Sequence, residues 1–157
     1  MEYAVTLAAK NGVKVVLNPA PACPLSDELL RKISIITPNE TEAGLLSGTK
    51  VTNRESAESA ARLLAAKGIE TVIITMGAEG AVLLHNGVCH FFEAPVCNAI
   101  DTTAAGDVFN GALAVALFNG ESILEAVPFA IRAASISVGR MGAQSSAPYL
   151  HELNTLT

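Results

Sequence analysis

Apolar residues along this chain fall into two alternating rhythms. Val13-Lys14-Val15-Val16-Leu17, Ile33-Ser34-Ile35-Ile36 and Thr71-Val72-Ile73-Ile74-Thr75 are short, β-branched and almost wholly apolar, the pattern of strands buried on both faces. Between them the spacing changes to three and four. Residues 3–11 predict a short amphipathic helix stopped by Asn11-Gly12, and residues 26–32 a second short one. Asn39 is placed to cap a helix through about Leu46, closed by Ser47-Gly48. Thr52-x-x-Glu55 has the form of a capping box, and Ala57, Ala60, Ala61 and Leu64 behind it mark one inward helix face. After the third strand, Gly77–Gly80 turns the chain into a hairpin with arms at 82–84 and 88–92, joined by Asn86-Gly87, a pair suited to a type I′ turn.

The remainder of the chain is helical in pattern. A helix is expected over 108–118, ended by Asn119-Gly120. Ser122-x-x-Glu125 then opens an Ala-rich helix to about Gly139, which Pro128 should kink or delay. From Ala143 the tail is polar, with one helical turn expected near its end. Alternating strands and helices with apolar strands predict an α/β fold, a mostly parallel sheet with helices on both faces plus a β-hairpin, in one domain over 1–157.

Composition narrows the class. Half of the 157 residues are apolar, which excludes a disordered chain, and no run of 18 apolar residues is present to cross a membrane. Acidic residues outnumber basic ones 15 to 10, so no basic stripe for nucleic acid or anionic lipid is expected. A single anionic ligand remains compatible with this balance, because backbone amides at a helix start bind anions without Lys or Arg. Cys23, Cys89 and Cys97 match no metal or redox spacing and read as reduced, core-filling thiols. Met1-Glu2-Tyr3-Ala4 lacks a signal-peptide pattern, so a cytoplasmic protein is expected.

Asp101-Thr102-Thr103-Ala104-Ala105-Gly106-Asp107 is the most informative stretch. Small residues at 104–106 let a bulky anion approach the backbone where a helix begins, and the free N–H groups of a first turn form a cradle for phosphate oxygens. Asp107 beside that cradle is placed to take a proton from a hydroxyl attacking phosphorus. The same Asp and Thr residues also serve as ordinary helix caps. Only the Ala-Ala-Gly trio between two aspartates has no place in a cap. Likewise Asn39 and Glu42, one helical turn apart, read as an N-cap and a helix-start carboxylate. Gly77-x-x-Gly80 reads as a tight turn, and Arg140 as a cation at a helix end. His85, His90 and His151 have no ligand spacing. There is no G-x-x-x-x-G-K-[ST], no G-x-G-x-x-G and no nucleophile elbow, so P-loop, Rossmann and α/β-hydrolase chemistries are set aside.

Asp101-Thr102-x-x-Ala105-Gly106-Asp107 resembles the second signature of the ribokinase-like (phosphofructokinase-B) sugar kinases. So do its continuation Val108-Phe109-Asn110-Gly111-Ala112-Leu113, Asn18-Pro19-Ala20-Pro21-Ala22, Thr37-Pro38-Asn39-Glu40-Thr41-Glu42-Ala43 and Gly142-Ala143-Gln144. The resemblance implies ATP-dependent phosphorylation of a sugar hydroxyl, with ribose as the acceptor. Asp107 would be the catalytic base, and the backbone of Ala104, Ala105 and Gly106 the anion hole. It further implies that Asn39 contacts nucleotide, Glu42 helps place Mg²⁺, and Thr75-Met76-Gly77-Ala78-Glu79-Gly80 holds ATP. A monovalent cation (K⁺) would lie at Asp101, Thr103, Ser137, Arg140, Gly142 and Ser146. Ile131 stands where the family often has a nucleotide-contacting His, making that contact apolar.

The resemblance covers nearly all of the chain but only the C-terminal half of the family's usual length. The expectation is therefore a nucleotide-binding and phosphoryl-transfer half, without the lid and most of the sugar site. Alone it should be weak or inactive, because positioning dominates phosphoryl transfer. A catalytically incompetent, nucleotide-binding or self-associating fragment is the alternative. An uncovered sheet edge is expected to drive formation of a homodimer or larger assembly.

Overall fold

The structure, a computed structural model, describes residues 1–153. By its contacts the chain divides into two compact units, Met1–Gly77 with Ala81–Phe91, and Ala78–Gly80 with the chain from Phe92 on. In order the elements are α1 (Glu2–Lys10), β1 (Val16–Leu17), α2 (Asp27–Leu30), β2 (Ile35–Ile36), α3 (Glu40–Ser47), α4 (Arg54–Ala66), β3 (Thr71–Thr75), β4 (Ala81–His85), β5 (Val88–Phe92), α5 (Ala105–Phe118), α6 (Ile123–Ser137) and α7 (Leu150–Leu153). The fold is α/β, around one five-stranded mixed sheet in the order β1-β2-β3-β4-β5. β1, β2 and β3 run parallel and β4 returns antiparallel to β3.

In the first unit β3 fulfils the expectation of a strand buried on both faces, since Val72, Ile73 and Ile74 are fully buried. α4 lies against β3 and β4 through Ala57, Ala60, Ala61 and Leu64, all fully buried. Three alanines on that face bring the helix backbone close to the sheet. The start of α4 is one residue later than the Thr52–Glu55 spacing predicts. Asn53 is the cap, its Oδ1 accepting the Ser56 N–H at 2.9 Å while Ser56 Oγ accepts the Asn53 N–H at 3.0 Å. Asn caps as well as Thr does, so the inward register of the alanines decides between them. The hairpin turn is as expected, with Asn86 at φ 51° and Gly87 at φ 76°.

β1 departs from expectation. It is only half-buried, two residues long, and lies at the edge of the sheet; Val13 is exposed. The apolar run begins too early because its first residue closes α1. Gly12, at φ 68°, donates to Ala9 O at 3.2 Å and Val13 to Ala8 O at 2.9 Å, the paired bonds of a Schellman stop.

In the second unit α5 and α6 pack on each other, burying Phe109, Leu113 and Ala116 of α5 and Ala126, Val127, Ala130, Ile131 and Ala133 of α6. α5 begins at Ala105 rather than Val108, so the small residues are part of the helix's first turn instead of a lead-in to it. α6 starts directly after Ser122 and runs through Pro128 without delay. The Glu125 carboxylate accepts both the Ser122 N–H (2.9 Å) and O–H (2.7 Å), which sets the start before the proline is reached. The thiols are not core-filling as a group: Cys23 and Cys97 are exposed and Cys89 half-buried, all three free. Among the described residues no helix is long and apolar enough to cross a membrane.

Candidate functional site

The start of α5 has an unusual backbone. Ala104, the residue before the helix, is left-handed (φ 61°, ψ 11°), a conformation that costs a non-glycine residue of order 1 kcal/mol. A left-handed residue followed by right-handed ones turns successive N–H groups toward one side, forming a concavity suited to an anion. Ala105 N–H is engaged by Thr102 O at 3.2 Å, and Val108 N–H closes the first turn on Ala104 O at 2.9 Å. The N–H groups of Gly106 and Asp107 have no partner among the described residues, so they and the positive end of the helix dipole are available. Asn110 Nδ2 donates to Gly106 O at 2.8 Å, steadying this turn from below.

Asp107 is exposed and lines a cavity of about 570 Å³ bounded by α5, α6 and the segment 143–153. The other walls are mostly apolar, including Val108, Val115, Phe129, Ala133, Pro148 and Leu153, and Asp107 is the only charged side chain among them. The tail residues were not expected here. Their polar pattern hides the apolar Ala147, Pro148, Leu150 and Leu153, which reach the cavity singly. The second unit has two cationic side chains, Arg132 and Arg140, against seven carboxylates. An anion bound here therefore depends on peptide dipoles and added cations.

Of the expected cation ligands, Asp101 engages two others, Thr103 and Gly142. Asp101 Oδ1 accepts the Thr103 N–H and Oδ2 the Gly142 N–H, both at 2.9 Å, and its own N–H donates to Val138 O at 3.1 Å. Hydrogen bonds from Thr103 and then Gly142 hold the Asp101 carboxyl below the usual carboxylate range. Ser137 and Ser146 are buried, their hydroxyls donating to Ala134 O (2.8 Å) and Ala143 O (2.7 Å). The Arg140 side chain goes elsewhere, to Glu152 of α7, and this hydrogen bond holds the Glu152 carboxyl low. Only the Arg140 backbone remains near the group, its N–H donating to Ser137 O at 3.0 Å.

In the first unit Asn39 and Thr75 are brought side by side at the carboxyl ends of β2 and β3, where they form a parallel bridge, with Thr75 N–H on Pro38 O at 3.0 Å. The carboxyl ends of parallel strands are where open α/β sheets bind ligands. Asn39 and Glu42 form a reciprocal capping box: Oδ1 accepts the Glu42 N–H and Glu42 Oε2 accepts the Asn39 N–H, both at 2.9 Å. Glu42 is buried, its other oxygen is not engaged, and no cationic side chain pairs with it among the described residues. Gly77, Ala78 and Glu79 form a single 3-10 turn in which the chain passes from one unit to the other. Gly80 follows at φ 111°, where a Cβ would sit 1.9 Å from Phe92 O, so only glycine fits there.

Ile131 is buried on the inward side of α6 and does not line the cavity. His85 is structural: its Nδ1 lies 2.8 Å from Thr71 Oγ1 across β3 and β4. His151 stacks on Tyr149, with ring centroids 5.8 Å apart. Among the described residues no group of three or more His, Cys, Asp or Glu side chains is placed to hold a metal ion.

The chain belongs to the pfkB family of carbohydrate kinases, matching it over residues 1–150. Within that family it is similar to ribokinases. It is 53% identical to Haemophilus influenzae ribokinase, covering 97% of this chain and 50% of that one. The structure of Arabidopsis thaliana ribokinase complexed with ribose and ATP superposes with a TM-score of 0.90 at 33% identity, covering 98% of this chain and 51% of that one. That of Thermotoga maritima ribokinase does so at 0.83 and 40% identity, covering 94% and 50%. The chain spans about half the length of the curated relatives it matches.

Proposed function

We propose that this chain carries the nucleotide-binding and phosphoryl-transfer elements of an ATP-dependent sugar kinase whose acceptor is ribose and whose product is ribose 5-phosphate. The observation that carries the reading is the backbone cradle at Ala104–Asp107, with the Asp107 carboxylate lining the same cavity. Donors held at the place where charge develops need no reorganisation during the reaction, so the Gly106 and Asp107 amides stabilise the transferring phosphoryl group. Asp107 accepts the proton of the acceptor hydroxyl as its oxygen attacks phosphorus.

Asn39 and Thr75 in the first unit are assigned to the nucleotide, and so is the loop Gly77, Ala78, Glu79 and Gly80, whose last three residues belong to the second unit. Glu42, buried with one oxygen unengaged and no cationic partner, suits a hard cation such as Mg²⁺ held by one carboxylate and water. Bound Mg²⁺ would neutralise phosphate charge. The Asp101 carboxylate is assigned to a monovalent cation such as K⁺, since each Asp101 oxygen that accepts an N–H keeps a second lone pair.

Separate calorimetric titrations with ADP and with ribose test the reading. Binding of both is expected of the kinase, whereas ADP binding without ribose binding favours a nucleotide-binding module. Absence of ADP binding contradicts both. Self-association through the open side of β1, which among the described residues pairs only with β2, belongs to the same proposal. Light scattering at micromolar concentration should give a multiple of the 16.2 kDa chain mass, and a monomeric mass contradicts it.

A further inference from the structure

Residues 143–153 form one wall of the cavity that Asp107 lines, through Ala143, Gln144, Ala147, Pro148, Leu150 and Leu153. The segment is thin, a single 3-10 turn followed by the four residues of α7, and a helix of that length has no stability of its own. Its hydrogen bonds are short-range. Ser146 N–H and Oγ both donate to Ala143 O, at 3.4 and 2.7 Å, and Glu152 N–H donates to Tyr149 O at 3.0 Å. Ser146 and Leu153 are buried, while Tyr149 and Leu150 are exposed.

One carboxylate ties this segment down. Glu152 Oε2 accepts the Tyr149 N–H at 2.7 Å, which closes α7 on itself. The Arg140 guanidinium reaches both Glu152 oxygens, Nη1 to Oε2 at 3.4 Å and Nη2 to Oε1, and a two-pronged pair fixes orientation as well as distance. Arg140 lies in a loop that is gripped from the other side. Val138 O accepts the Ile100 and Asp101 N–H groups, and Asp101 Oδ2 accepts the Gly142 N–H. Asp101 Oδ1 takes the N–H of Thr103, the residue before left-handed Ala104. The contacts close a ring, from the Ala104–Asp107 turn through Asp101, Arg140 and Glu152 to α7, and across the cavity to Asp107. Gly142, at φ 91°, stands where the segment begins.

We infer that residues 143–153 are a strap over the Asp107 cavity and that the Arg140–Glu152 pair is its latch. With the pair made, Asp107 looks into an apolar groove. With the pair broken, the strap turns about Gly142 and Asp107 faces water. The two side chains are 35% and 28% exposed, so water and salt compete for the pair and it opens at small cost. Latch and strap stand independently of any ligand assigned to the cavity.

Amide hydrogen exchange of the full chain, read by NMR without ligand, tests this, and a neutral gadolinium chelate added afterwards reports water access to the cavity. Glu152→Gln keeps an acceptor for the Tyr149 N–H but removes the charge. It should speed exchange at Ser146, Tyr149 and Glu152 about fivefold, the worth of a partly exposed ion pair. It should also raise the chelate's relaxation effect on the Gly106, Asp107 and Gly111 amides. Exchange at Leu113 in α5 and Val127 in α6 should not change. Arg140→Gln should act alike, and the double variant no more than either alone. Tetramethylammonium chloride at about 0.5 M should speed the same amides in the unmodified chain and not in Glu152→Gln, because it screens the pair. Unchanged exchange in Glu152→Gln overturns the latch, and so does a salt effect that persists in that variant. Faster exchange that extends to Leu113 and Val127 makes the pair part of general stability and overturns it as well. Faster exchange without greater chelate access overturns the strap's role over Asp107.

Discussion

Asp107 and Asp101 are six residues apart and do opposite things with their carboxylates. Asp107 makes no contact that a cap would make and faces an apolar cavity, whereas both Asp101 oxygens are occupied by backbone donors. In a preparation with measurable ribose-dependent ADP release, Asp107→Asn should therefore lower it by roughly 10²–10⁴, the usual contribution of a general base, with ADP affinity little changed. A coupled assay and a calorimetric titration on the same preparation check this, and comparable turnover in the variant contradicts it. The Asp101 carboxylate is held by two backbone N–H groups, and the sign of its pH effect follows from its lowered folded-state pKa. Its contribution to stability is complete above the unfolded value, near pH 4, and is lost as pH falls through the folded value. The difference in urea midpoint between the unmodified protein and Asp101→Asn should be constant from pH 7 to 5 and shrink below about pH 4. A difference that grows on acidification contradicts the assignment.

At the level of elements the caps and the alanine face of α4 do the deciding. Asn53→Ala should cost about 0.5–2 kcal/mol and Thr52→Ala much less, because the cap is Asn53. Ala61→Leu should cost about 1–3 kcal/mol by overpacking a fully buried contact between α4 and the sheet. Chemical denaturation of the three variants separates these effects. These elements also mark what was legible beforehand. β3, the inward face of α4, the Asn86-Gly87 turn and the Asn39 cap follow from local pattern and capping chemistry, which act within a few residues. β1 was overextended because a hydrophobicity pattern does not register that Val13 N–H is needed to close α1. The start of α5 was placed late because a left-handed Ala104 has no signature in residue type; glycine is the residue that announces such a conformation.

For the whole molecule, charge is the governing quantity. The net charge is −5, and none of the residues assigned to the nucleotide, Asn39, Thr75 and the 77–80 loop, supplies a cationic side chain. Chelation of divalent ions should accordingly weaken ATP binding by roughly tenfold or more at fixed ionic strength. An affinity unchanged by EDTA would point to a cationic side chain at the site. The likeness to ribokinases was readable because its motifs are short and local. The cavity was not, because its walls come from α5, α6 and the tail, which only the fold brings together. The most direct measurement is an amide chemical-shift titration of the full chain with Mg²⁺ and a non-hydrolysable ATP analogue. The Gly106 and Asp107 amides should be among the most strongly shifted resonances. A saturable titration that leaves both unmoved would contradict the assignment of this turn to the phosphoryl group.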